Sequence, residues 1–576
     1  MPLVRRSVIT RRLARRAASL AGVLATLSCS DGPTAATTEC DVEQITASLS
    51  LSPLQGGRAS YAEAESCVGL SGGSARYLVV PQLASGGEGE DPREREYFLG
   101  NQEPGLAAAS VRDAGAALFQ GRRPLGAQQR LDARLRALEG ALLPAERPAA
   151  ALRSTDAPPA AQFAARREFV TLANVDGTSF AKVTADLVYT GDNIVIYADT
   201  ATPENGFTET RIQRFGDLFD QTLFPIDTAA FGRPSDIDGN GRVIVLMTPR
   251  VNALVAETEC MLNGFITGYF FGFDLVSTDV NRSNRGEVFY MLTPDVGGEF
   301  SCEHTVNEVA ELVPSTFIHE LQHMISYGAH VIERGSTRDE ETWLNEGLSL
   351  IAEELGSLYY EAKYPPGTCG PGIRTDCEQL FPDSSQGFIV SNLQYAFDWM
   401  ANAPRTSVTT FESSGSFEER GAAFLFLRWL GDHKPGVFRA LVQTGLRGTA
   451  NVSNAAGESF PALFADFGIS LYTDSIPGVP RDAVPERYRF LSRNLRQIHA
   501  RFASLGSEIP APYPIDPKPL PASGGAQGSM VQGTMDWYIL ESPGAAPAVP
   551  LHLVRSDLRP LGAALVPQLG VFRLPD

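Results

Sequence analysis

The sequence predicts an α+β protein, with a large mixed domain over residues 166–500 and a small β-domain after a linker over 501–576. Three observations predict it. Between Phe169 and Leu292, short apolar runs with turn residues between them surround one amphipathic helix. From Pro314 to Tyr472 the apolar spacing is mostly helical. After residue 505 the chain is rich in Pro and Gly, and then alternates as short strands at Trp537–Leu540, Leu551–Val554 and Val571–Leu574.

At 576 residues the chain has length for several domains, and its 43% hydrophobic content supplies large cores. The net charge of −19 argues against nucleic acid as a partner. Met1–Arg16 carries six Arg and no acidic residue, and the apolar run Ala17–Leu27 follows. That is an export signal over 1–28, too short for a membrane span. It places the protein outside a bacterial cytoplasm: periplasmic, outer-membrane-anchored or extracellular. Cys29 sits where a lipoprotein is cleaved and acylated, which would be the one link to a membrane; ordinary cleavage nearby and a twin-arginine route are the alternatives. Proximity among the other six cysteines pairs Cys40 with Cys67, Cys260 with Cys302 and Cys369 with Cys377, against free buried thiols.

In chain order, 29–60 reads as a polar tether, and 61–165 as a few strands followed by a weakly helical Ala/Arg stretch, either a pro-region or a linker. Asp186–Asp199 reads as two strands around a Thr-Gly-Asp-Asn turn, Thr208–Leu223 as a helix and Arg242–Met247 as a buried strand. Asn263–Leu275 and Glu287–Leu292 read as further strands, with Gly286–Tyr290 the expected sheet edge. Asp236, Asp238 and Asn240 in Asp-Ile-Asp-Gly-Asn-Gly invite Ca2+, but the twelfth position is Met247, not Glu, so this is no EF-hand; the competing reading is an Asp/Gly turn. A Pro/Gly/Cys loop over Pro365–Pro382 precedes the helices Val390–Met400, Phe417–Leu430, Gly436–Val442 and Ser459–Tyr472.

The chemistry concentrates in residues 314–351. His319-Glu320-Leu321-Gln322-His323 is H-E-x-x-H; on a helix, positions i and i+4 share a face, so both imidazoles can reach one metal ion. Pro314–Thr316 reads as the helix start and Gly328 as its C-cap. A catalytic Zn2+ takes three protein ligands and keeps a position open. Glu346, in Trp-Leu-Asn-Glu-Gly, supplies the third: it lies on the core-facing stripe of a helix starting near Asp339, where a bare carboxylate is costly. His304 and His330 flank the motif without ligand spacing, and His499 and His552 read as structural.

The wording STFIHELQHMISY…ETWLNEGLS resembles the hyicolysin-type neutral zinc metallopeptidases, within the gluzincins, and the likeness runs from about Asp186 to Asp466. The resemblance implies a zincin-like catalytic domain, with a mixed sheet in its upper half and helices in its lower half. It implies zinc on His319, His323 and Glu346, and Glu320 as general base. It also implies an oxyanion donor in the lower half, for which Arg420, Tyr395 and His433 are candidates. Thermolysin-like enzymes carry an Asp four residues after the ligand Glu to orient a zinc His; here that position is Leu350, and Glu353 or Glu354 are the substitutes within reach.

The function implied is a secreted or lipid-anchored endopeptidase acting on protein or peptide. The alternatives are a non-catalytic surface lipoprotein, an adhesin or assembly factor on a retired peptidase fold, and a metal hydrolase acting on bonds other than peptides.

Overall fold

The computed structural model describes residues 40–61, 67–71, 73–87, 93–101, 126–146, 163–364, 383–411, 415–504, 509–544 and 548–575. The export signal, Cys29, Cys369, Cys377 and the Pro365–Pro382 loop lie outside these residues. Disulfides join Cys40 to Cys67 and Cys260 to Cys302. Among the described residues no helix is long and apolar enough to cross a membrane.

A six-stranded mixed sheet forms the upper half of the central region. Its order is Gly268–Phe270, Val288–Met291, Val243–Met247, Ile194–Asp199, Phe180–Thr190 and Arg166–Leu172. The central strands Val243–Met247 and Val288–Met291 run parallel and are buried throughout, which is why they read as unbroken apolar runs. The motif helix, Val306–Tyr327, packs beneath the sheet through Val309, Val313, Phe317, Ile318, Leu321, Met324 and Ile325. Helices Thr342–Lys363, Asp383–Ala401, Phe417–His433 and Phe460–Thr473 build the lower half.

Four expectations are corrected. The strand expected at the edge is interior: Val288–Met291 pairs on both sides, and the edge is Gly268–Phe270, antiparallel to it. Most of Asn263–Leu275 is therefore not strand, since helices Glu257–Asn263 and Phe273–Val276 flank those three residues. The motif helix starts two turns before Pro314, where Thr305 and Glu308 cap each other's backbone N–H groups; Pro314 lies inside the helix. Gly328 is not a left-handed cap, because its φ of −56° continues the helix into the wider turns of Gly328–Glu333.

The fourth correction concerns the chain ends. The C-terminal strands do not form sheets of their own; they pair with described strands from the N-terminal part of the chain. One sheet has the order Ala47–Ser50, Val68–Ser71, Ala548–Arg555, Arg95–Gly100 and Gly525–Met530; another runs Lys518–Leu520, Tyr538–Pro543, Ser74–Leu83, Pro567–Arg573 and Gly56–Ser60. Ser74–Leu83 explains the arrangement. Tyr77 and Val79 face the core between the sheets, while Leu78 and Val80 on the other face join the helical core, so the strand is apolar on both sides. Gln82 donates to the Phe464 carbonyl and Trp537 to the Gly468 carbonyl across that seam.

Truncation after residue 516 removes both neighbours of Ser74–Leu83. The expected result is an insoluble chain, or one without the full-length cooperative melting transition; a soluble truncated chain with an unchanged transition would show the β-structure to be accessory.

Candidate metal centre

The motif helix turns His319 and His323 toward the helix Thr342–Lys363, which carries Glu346. The two Nε2 atoms stand 3.1 Å apart; His319 Nε2 lies 3.9 Å from Glu346 Oε2, and His323 Nε2 lies 3.8 Å from Oε1. Tetrahedral zinc with bonds of about 2.0–2.1 Å spaces its ligand atoms by about 3.3 Å, so the three side chains fit one such ion. Glu346 is 0% exposed, and its Oε1 has no hydrogen-bond partner, an arrangement that a cation on that oxygen would satisfy.

Each imidazole is held from behind. His319 Nδ1 donates to Glu353 Oε1 at 2.7 Å, and His323 Nδ1 donates to Asn345 Oδ1 at 2.9 Å. Asn392 donates to the second Glu353 oxygen, and Asn345 donates to Asp339. Glu353 thus stands behind His319, seven residues after Glu346 rather than four, one turn further along the same helix face than Leu350. Leu350 is core, and Glu354 is elsewhere, buried between Arg428 and Arg493. Burial and the neighbouring His319 hold His323 well below its ordinary pKa, in the neutral form a ligand needs. For His319 burial works the other way from Glu353, Glu320 and Glu346, and the carboxylates prevail, raising it to about 9.

Glu320 is buried beside the pair. Burial raises its carboxyl to about 7, opposed by His319 and reinforced by Asp132 and Glu346. Arg420 spends its guanidinium on two carboxylates: Nη1 donates to Glu346 Oε2 at 2.6 Å and Nη2 to Asp132 Oδ2 at 2.8 Å. Gly421 lets the Arg420 helix press against the helix of Tyr395, since a Cβ there would stand 2.3 Å from the Tyr395 backbone. Tyr395 stacks on Phe417 and lies within the fields of Glu353 and Arg420. His433 is not in the site; its Nε2 donates to the Arg489 carbonyl and its ring packs on Trp429.

Sequence reasoning missed the helix Ala127–Glu146 altogether as part of this region. Its Gln128 donates to the Gly268 carbonyl and accepts from the Thr267 N–H, while Arg136 donates to the Phe270 carbonyl. These are outward-facing backbone groups of the edge strand. Gly268 itself is pressed between strand and motif helix, where a Cβ would come 2.6 Å from Thr316 and 2.7 Å from the Tyr290 carbonyl. The only foreshadowing in the sequence was the Ala/Arg bias of the stretch.

No protein-family model matches this chain. Over 190 residues, 33% of the chain, it is 29% identical to the neutral metalloprotease ShpI of Staphylococcus hyicus, and the matched part spans 40% of that protein's length. The similarity supports a metalloprotease-like relationship and, with it, a metal.

Two neighbouring glutamates separate the roles on this helix. Glu353→Ala is expected to weaken zinc binding about 10- to 100-fold while leaving the fold intact. Glu354→Ala, which leaves Arg428 with Asp432 and Arg493 with Glu361, is expected to cost about 1–3 kcal/mol of stability and leave zinc affinity unchanged. Chelator-competition titration and thermal melting check both; equal zinc loss in the two variants would contradict the assignment.

Proposed function

We propose that this chain is a zinc-dependent endopeptidase, exported from a bacterial cell, that hydrolyses peptide bonds with Glu320 as general base. The observation that carries the reading is the convergence of His319, His323 and Glu346 on one point, with an acceptor behind each imidazole and a buried carboxyl at Glu320. Zinc, when bound, supplies Lewis acidity to the scissile carbonyl and acidifies water. Glu320 accepts the proton of the attacking water and returns it to the leaving amine, a task suited to a carboxyl poised near neutrality. Arg420 fixes one oxygen of Glu346, leaving the other to the metal. Of the three oxyanion-donor candidates, Tyr395 is the one kept: Arg420 is committed, and His433 is elsewhere. Burial raises the phenol to about 12, so it keeps its proton.

A peptide substrate is favoured over other bonds by the edge strand Gly268–Phe270, whose outward carbonyls and N–H groups suit an extended chain. Gln128 and Arg136 hold those groups here, so substrate competes with the helix Ala127–Glu146 for the same strand. The reading of a non-catalytic protein on a retired fold drew on the Asp missing at 350 and on the unassigned oxyanion donor; Glu353 behind His319 weakens the first of these.

Glu320→Gln is expected to abolish casein cleavage while retaining one zinc per chain; cleavage at the wild-type rate would exclude Glu320 as base, and loss of zinc would make it a ligand instead. Gln128→Ala removes three hydrogen bonds that hold the helix against Thr267 and Gly268 at the head of the edge strand. It is expected to lower KM for casein by about two- to tenfold with kcat little changed; an unchanged KM would show that the helix does not compete with substrate.

A further inference from the structure

A second cluster of carboxylates lies at the N-terminal end of the parallel strands Val243–Met247 and Val288–Met291. Asp236, Asp238 and Glu287 bring one carboxylate oxygen each to within 4.8 Å of one another. The loop's own hydrogen bonds account for much of its shape. Asp238 Oδ1 accepts from the Asn240 N–H and Oδ2 from the Asn240 side-chain amide; Asp236 Oδ1 accepts from the Gly241 N–H. Asn240 is a brace, its carbonyl oxygen accepting from the Arg242 N–H.

Those bonds leave Glu287 unexplained. Its side chain enters the loop from the start of strand Val288–Met291, and the residue is 1% exposed. Oε1 accepts from Ser235 Oγ at 2.7 Å and from the Ile237 N–H at 3.0 Å, whereas Oε2 is buried with no hydrogen-bond partner. Among the described residues no Lys, Arg or His forms an ion pair with Asp236, Asp238 or Glu287. Three carboxylates, one of them buried with an orphaned oxygen, call for a cation. The donors are all hard carboxylate oxygens, two from an Asp/Gly loop and one from the head of the strand Val288–Met291. That chemistry suits Ca2+ and disfavours zinc, which takes nitrogen and sulfur readily.

We infer that Asp236, Asp238 and Glu287 form a structural calcium site, with Glu287 supplying from the next strand the acidic ligand that position 247 of the loop lacks. The site ties three pieces together. Glu287 heads a central strand whose carbonyl there accepts from the Ile244 N–H, and Ser235 packs against Gly328, where the motif helix widens. Calcium therefore braces the strand and the far end of the helix that carries His319 and His323, without touching the zinc ligands. The inference stands apart from the peptidase reading.

The test is calcium binding by the full chain with zinc kept in place, measured by equilibrium dialysis against Ca2+ and by Tb3+ luminescence. Wild type is expected to take up one Ca2+ per chain, with a melting midpoint that rises with calcium concentration. Glu287→Gln and Asp238→Asn are expected to bind Ca2+ at least about tenfold more weakly and to lose the calcium-dependent rise, because fewer ligand charges face the ion. Asp236→Asn, at an exposed position, gives the same readout if the variant at buried Glu287 or half-buried Asp238 fails to fold. His323→Ala is expected to leave the calcium count unchanged. A wild type that binds no calcium, or an Asp236→Asn chain that binds it as wild type does, would overturn the site.

Discussion

Glu346 is a carboxylate with no access to water, set in a helix whose neighbours are Leu344, Leu348 and Ile351. An isolated charge there would cost far more than the fold has to spare, so the surroundings are arranged to compensate it. Arg420 meets one oxygen from the adjacent helix; two imidazoles from the motif helix face the other side. The packing of three helices thus converges on one charge. The Glu346 and Arg420 helices cross tightly because Gly347 presents no side chain to Ala423 and Leu427, so the constraint reaches from the site into the apolar core.

Buried charge also organises the region around that centre. Asp132 shares Arg420 with Glu346, and Arg136 lies between Glu139 and Asp339, which in turn braces Asn345 behind His323. The helix Ala127–Glu146 is therefore attached at both the edge strand and the metal centre's support. Leu131 and Leu135 bury its apolar side.

Much of the site was legible because helical spacing is local. His319 and His323 read as one face from four residues of separation, and Glu346 stood out as a charge in an apolar stripe. Glu353 was readable only as one of two adjacent choices, because a helix face recurs at both four and seven residues. What failed to read was non-local or short. Gly268–Phe270 is three residues long and carries no alternation to detect. The sheets joining residues 47–101 to 518–573 pair strands more than 400 positions apart, and no local signal marks which strand meets which. Pro314 misled because a proline suits a helix start, while the true start carried the stronger capping pair Thr305 and Glu308. Glu287 lay too far from the Asp-Gly loop in sequence to be joined to it.

The central claim is that one zinc sits on His319, His323 and Glu346. Cys260, Cys302 and His304 also lie together, and with the Cys260–Cys302 disulfide reduced they would offer sulfur instead. Zinc X-ray absorption fine structure on the full chain, wild type beside Glu346→Ala, distinguishes them directly. The account predicts nitrogen and oxygen neighbours at about 2.0–2.1 Å, no sulfur at about 2.3 Å, and loss of the zinc signal in Glu346→Ala. A sulfur shell, or an unchanged spectrum in the variant, would contradict it.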